Sequence, residues 1–128
     1  MNRRERLMAT LRGDTVDRPA VSFDDIVAMG ADGLDPIEPP PQGDVELAYV
    51  RENYGDNLVL FGNLEASDIE NLPTPRFIEK IKLALDEGTR GKGRGFVLRP
   101  SACPYGRILS PLAMRNYEAI IDEVNAQG

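Results

Sequence analysis

"GADGLDPIEPPP", residues 30–41, holds two glycines, three acids and four prolines in twelve positions, with Leu34 and Ile37 as its bulky apolar residues. It lies between two stretches of helical patterning. It is therefore either a linker or a short buried strand, "GLDPI", that runs into a rigid loop carrying carboxylates. α/β enzymes expose ligand-handling groups in the second way. The neighbouring segments decide between the two.

Downstream, Asp44 is placed to cap a helix in which Leu47, Val50 and Tyr54 fall on one face, and Gly55 closes it. "NLVLF", 57–61, is a continuous apolar run, the pattern of a strand covered on both faces. A short turn over 68–72 precedes Thr74 and Pro75, an N-cap with proline behind it, and a helix with Ile78, Ile81 and Leu85 on one side. After "TRGKGRG" comes a third run, "GFVLR", then the loop "PSACPYGRIL". Ser110 and Pro111 open a last helix, striped by Met114, Tyr117, Ile121 and Val124. Upstream, Asn2 can cap a helix with Leu7, Met8 and Leu11, ended by Gly13. "PAVSF" is a candidate fourth strand, and a brief helix over 24–29, capped by Ser22, ends at Gly30. Strand and helix alternate, and with right-handed crossovers that order gives a parallel sheet. The quoted stretch is a strand with its loop.

The composition narrows the function. A chain of 128 residues with 28% charged residues reads as one ordinary globular domain, and no apolar run approaches a membrane span. The start "MNRRERLMATLRG" lacks the apolar core of a secretion signal, so a cytoplasmic location is expected. A net charge of −6 argues against a nucleic-acid partner. One cysteine excludes an internal disulfide, and the absence of histidine removes the commonest metal ligand and general base. Chemistry then falls to carboxylates, tyrosine, arginine or the Cys103 thiol.

In a parallel α/β sheet, ligand-facing groups lie beyond the carboxyl ends of the strands. That edge would carry Asp35 and Glu38, then Asn63 and Glu65, then Ser101, Cys103, Tyr105 and Arg107. Asp35 and Glu38 read first as solvated loop acids, and alternatively as a carboxylate pair whose proximity splits their pKa values. Cys103 reads as a loop thiol, because one sulfur does not make a metal site. "TRGKGRG" has the composition of a phosphate loop but precedes a strand instead of following one, so it reads as a surface turn. Met114 and Tyr117 read as core.

Several motifs carry a resemblance. "MNRRERLMATLRGDTVDRPAV" (1–21) resembles the amino-terminal segment of the uroporphyrinogen decarboxylase and cobalamin-dependent methyltransferase superfamily. "GADGLDPIEPPPQGDV" (30–45), "LVLFGNLEAS" (58–67) and "GFVLRPSACPYGRILSPLAMRNYEAIIDEV" (95–124) look like its last three strand–loop–helix units. The resemblance implies a partial (β/α)8 TIM barrel: three parallel strands, a fourth candidate, crossover helices and an N-terminal helix. Residues 1–22 would be the N-terminal segment and 23–128 the C-terminal part, with the central barrel missing. It implies either a lyase of porphyrin biosynthesis, decarboxylating tetrapyrrole acetates, or zinc-assisted methyl transfer from a corrinoid.

"GNLEAS" resembles a recurring loop of the family, which makes Asn63 and Glu65 ligand-facing candidates. Cys103 falls near a family zinc-ligand position, but "VSF" stands where its two partners would be, so neither zinc nor another cofactor is expected here. With the central site residues absent, the isolated chain is expected to be inactive, and a binding or assembly module is the rival reading. Unpaired strand edges predict self-association as a dimer or larger, and a tetrapyrrole or a corrinoid protein is the partner the resemblance implies.

Overall fold

A computed structural model of the chain describes residues 1–16 and 23–128. They fall into two compact units, Met1–Asp32 and Gly33–Gly128. The fourth strand candidate "PAVSF" and the Ser22 cap fall largely on residues outside those described; Phe23 itself opens a helix.

In the first unit, helix α1 spans Arg3–Arg12. Asn2 caps it as its sequence predicts: Asn2 Oδ1 accepts the Glu5 N–H at 2.8 Å, and Glu5 Oε2 accepts the Asn2 N–H at 2.8 Å, a reciprocal capping box. The chain leaves the helix at Gly13, whose φ is +76°. Among the described side chains of this helix Ala9 and Arg6 are buried, whereas Met8 and Leu11 are 37% and 71% exposed. Helix α2, Phe23–Ala28, follows.

The second unit contains strand β1 (Gly33–Ile37), α3 (Leu47–Tyr54), β2 (Val59–Leu64), α4 (Ala66–Asn71), α5 (Thr74–Thr89), β3 (Phe96–Pro100) and α6 (Pro111–Gln127). The three strands form one parallel sheet in the order β1-β2-β3. Parallel neighbours joined by right-handed crossovers put every connecting helix on the same face. There α5 packs on β2 and β3 and is flanked by α3 and α6. Leu47, Val50, Leu58, Leu60, Leu64, Ile69, Phe77 and Ile81 fill the layer between, all at most 2% exposed.

Strand β2 begins two residues later than "NLVLF" and runs through Gly62, Asn63 and Leu64. Its side chains alternate: Leu60 and Leu64 are buried toward the helices, while Val59, Phe61 and Asn63 are half-buried. On β3, Val97 is 43% exposed. The expectation of strands covered on both faces is therefore corrected, because within this unit the helices cover one face. At Gly62 a side chain has no room: φ is +143°, and a Cβ would lie 2.9 Å from the Ile37 carbonyl oxygen on β1.

Caps differ from their sequence assignments where tertiary neighbours intervene. Asp44 does not cap α3; Glu46 occupies the cap position without a side-chain bond, and Glu87 Oε2 of α5 accepts the Ala48 N–H at 3.2 Å. Residues 66–71, expected in part as a turn, form α4, and α5 starts at Thr74 itself with Pro73 before it. Ser110 caps α6 as expected, its Oγ accepting the Ala113 N–H at 3.0 Å.

The stripe of α6 is also corrected. Met114, Ile121 and Val124 are 49%, 61% and 43% exposed, Tyr117 is half-buried, and the buried face is Ala113, Asn116 and Ala119. Asn116 supplies the reason. Its Nδ2 donates to Ile69 O and Leu72 O, both at 2.9 Å, which satisfies carbonyls at the carboxyl end of α4 that the helix leaves free. Two alanines beside it let α6 approach closely enough to reach them.

Arg51, buried on α3, donates through Nε to Arg90 O at 3.0 Å and also bonds Arg94 O. "TRGKGRG" is thus a turn folded around Arg51, at the amino-terminal end of the strands.

Candidate functional site

The described polar groups at the carboxyl ends of the strands are arranged in two sets. The first is an ion pair. Arg99 Nη1 reaches both carboxylate oxygens of Asp35, at 2.6 and 2.8 Å. Arg99 is in register with Asn63, on the half-buried side of β2, and Asp35 follows Leu34, which is in register with the buried Leu60. Alternation therefore sends Asp35 and Arg99 to the face away from the helices. The pair bridges the outer strands across the central one, a span of two strand spacings that a long arginine side chain can cover.

The second set joins all three strand ends. Glu65 follows β2 directly and caps α4: its Oε1 accepts the Ser67 N–H at 3.1 Å. Ser101 follows β3 and donates its N–H to Leu64 O at 2.7 Å. Glu38 follows β1 and meets both. The Glu65 carboxylate, accepting a hydrogen bond from the Glu38 carboxyl, raises the Glu38 pKa above the ordinary carboxylate range; partial burial and the negative charge of Glu65 act in the same direction, and the Ser101 hydroxyl opposes them. The same bond holds Glu65 below the ordinary range, against burial and with help from the Ser67 N–H. The two directions are opposite, as expected where a carboxyl group donates to a neighbouring carboxylate and like charge drives two acids apart.

Glu65 and Ser101 are 7% and 8% exposed. Among the described residues, Glu65 Oε2 and Ser101 Oγ are buried oxygens, and the Glu38 carboxyl group is the side chain that meets Glu65 and Ser101 there. Glu65 also lines a cleft of about 150 Å³, together with Asn63, Pro39, Glu46, Asp68 and Lys80.

The sequence-derived candidates separate accordingly. Asp35 and Glu38 do not pair with each other; Asp35 is held by Arg99, and Glu38 meets Glu65. Asn63 and Glu65 share the cleft. Tyr105, 69% exposed, Arg107 and Cys103 stand on the exposed loop after β3. Among the described residues no group of three or more Cys, Asp or Glu side chains could hold a metal ion. The partnership of Arg99 with Asp35 was not read from the sequence. The signal for it was a charged residue alternating with Val97 inside a strand, a position that asks for an opposite charge.

Comparison of the chain with protein-family models, curated proteins and solved structures finds no match. No helix among the described residues is long and apolar enough to cross a membrane.

Proposed function

We propose that this chain is a partial (β/α) barrel of the uroporphyrinogen decarboxylase and corrinoid methyltransferase superfamily, which contributes the ligand-facing strand ends but does not catalyse by itself. One observation carries the reading: three parallel strands stand side by side in chain order, with connecting helices on one face and polar groups at the carboxyl ends. Barrel strands follow in order with helices outside; one half of a doubly wound sheet shares that order, and the resemblance of residues 30–45, 58–67 and 95–124 is what favours the barrel. The half-exposed face bearing Phe61, Val97 and the Asp35–Arg99 pair then corresponds to a barrel interior. A closed barrel of this kind takes about eight strands, and the described residues supply three.

The test is turnover by the purified chain, with uroporphyrinogen in one arm and a methylated corrinoid protein with a thiol acceptor in the other. No product above the buffer control is expected in either arm. Turnover abolished by Asp35→Asn or Glu65→Gln would contradict the reading and make the chain an enzyme in its own right.

The open face favours a second reading alongside the first, an assembly module whose partner is another copy of the chain. β1 and β3 each have one paired edge within the described sheet, and an unpaired edge beside exposed apolar surface recruits further strands.

A further inference from the structure

The charged residues within β1, β2 and β3 are Asp35 and Arg99, one of each sign, in a chain whose net charge is −6. Their ion pair lies on the sheet face away from the helices, where Phe61 is in register with Val97 and Asn63 with Arg99. The Arg99 and Asp35 side chains are 41% and 43% exposed. An ion pair so open to water adds little to its own chain, because both charges stay solvated and two side chains lose freedom. Nor does it use up Arg99. Nε donates to Pro100 O at 3.1 Å and Nη1 to Asp35, while Nη2 keeps two N–H donors for which the described residues supply no acceptor.

A second copy of the same face supplies that acceptor. A contact between two identical faces has to be complementary to itself. The chain has an excess of acids, yet the charges of the strands cancel on this face, so it adds no repulsion between copies. Two sheets packed face to face with their strands aligned can be related by a two-fold axis along the strands or across them. The axis across the strands sets acid against acid and arginine against arginine. The axis along the strands lays β1 over the partner's β3. Asp35 lies on one outer strand and Arg99 on the other, so each then stands opposite its counter-charge, at the same offset along the strand that Arg99 already spans in its own chain.

We propose that the open sheet face is a self-complementary interface on which a second copy docks about a two-fold axis parallel to the strands, with Arg99 of each copy bonding Asp35 of the other. The inference rests on the second reading above, an assembly of copies of this chain, and adds what aligns them. Each carboxylate then lies between two guanidinium groups, and Val59, Phe61 and Val97 leave water together with the charges. The same axis sets β3 of one copy parallel to β1 of the other, the order in which two edges would join.

Sedimentation equilibrium of the full chain tests the interface. Asp35→Asn and Arg99→Gln, at half-exposed positions, should keep the fold and weaken the dimer at least about tenfold each. Asp35→Arg makes the face wholly positive and Arg99→Asp makes it wholly negative. Each should be monomeric alone, and an equimolar mixture should form a heterodimer within about tenfold of the wild-type Kd. Recovery in the mixture separates lost pairing from lost folding. Tighter association of Asp35→Asn would mean that acid faces acid; a wild-type Kd in Asp35→Arg, or a mixture of folded variants that stays monomeric, would mean that these charges do not set the interface. Each of these results overturns the proposal and leaves assembly itself standing, whereas a wild-type chain that stays monomeric overturns both.

Discussion

Glu38 and Glu65 shift in opposite directions, and the signs give the pair a pH signature. Glu65 lies below the ordinary 4.5, so its charge supports the fold above that value and the support is lost as pH falls through its lowered folded value. Glu38 lies above 4.5, so its protonated form supports the fold below that value and the support is lost as pH rises through its raised folded value. Glu38→Gln keeps a donor toward Glu65 and cannot ionise. Urea midpoints should therefore decline for the wild type as pH rises above the ordinary carboxylate range and stay level for the variant; superimposable profiles would contradict the shared proton. Asn116 is a second decisive residue. Asn116→Ala strands the Ile69 and Leu72 carbonyls and should cost about 1–3 kcal/mol, whereas Arg115→Ala beside it should stay within about 0.5 kcal/mol. Gly62→Ala asks a side chain to accept a left-handed backbone against Ile37 O, at a cost of about 1–3 kcal/mol. Denaturant unfolding checks all three.

Among the elements, β1 was legible to the residue: "GLDPI" is bounded by glycine before and by the Pro-rich loop after, and the strand is Gly33–Ile37. The edges of β2 were not, because "GNL" looks like a turn until Gly62 is seen packed against β1. The site divides in the same way. That the strand ends would carry Asp35, Glu38, Asn63 and Glu65 follows from local pattern and the rule for parallel sheets. That Asp35 turns to Arg99 and Glu38 to Glu65 depends on register and on the tilt between strand ends, which no local pattern encodes. Helix α6 shows the limit of periodicity. Its apolar stripe has helical spacing, yet hydrogen bonding by Asn116 and close contact by two alanines fix which face turns inward. Ile121→Glu should therefore change stability by no more than about 0.5 kcal/mol, while Ile81→Ala, in the layer beneath α5, should cost about 2–5 kcal/mol. A large loss from Ile121→Glu in thermal unfolding would return the stripe to the core.

For the whole molecule the consequence lies in what the sheet leaves unpaired. Among the described residues, three parallel strands with helices on one side present an opposite face of half-buried Val59 and Phe61 and exposed Val97, with the Asp35–Arg99 ion pair laid across it, and β1 and β3 are each paired along one edge. Such a surface is the one that the proposed assembly would use. Parallel pairing between the edges of two copies would continue the sheet and bury the exposed valine. The most direct measurement is size-exclusion chromatography with light scattering at micromolar concentration, on the wild type and on Val97→Lys. The partial-barrel account predicts a wild-type species of at least twice 14.1 kDa that shifts toward monomer in the variant. A soluble wild-type monomer of 14.1 kDa that unfolds cooperatively would contradict it, and would mean that the three-stranded unit closes its own surface.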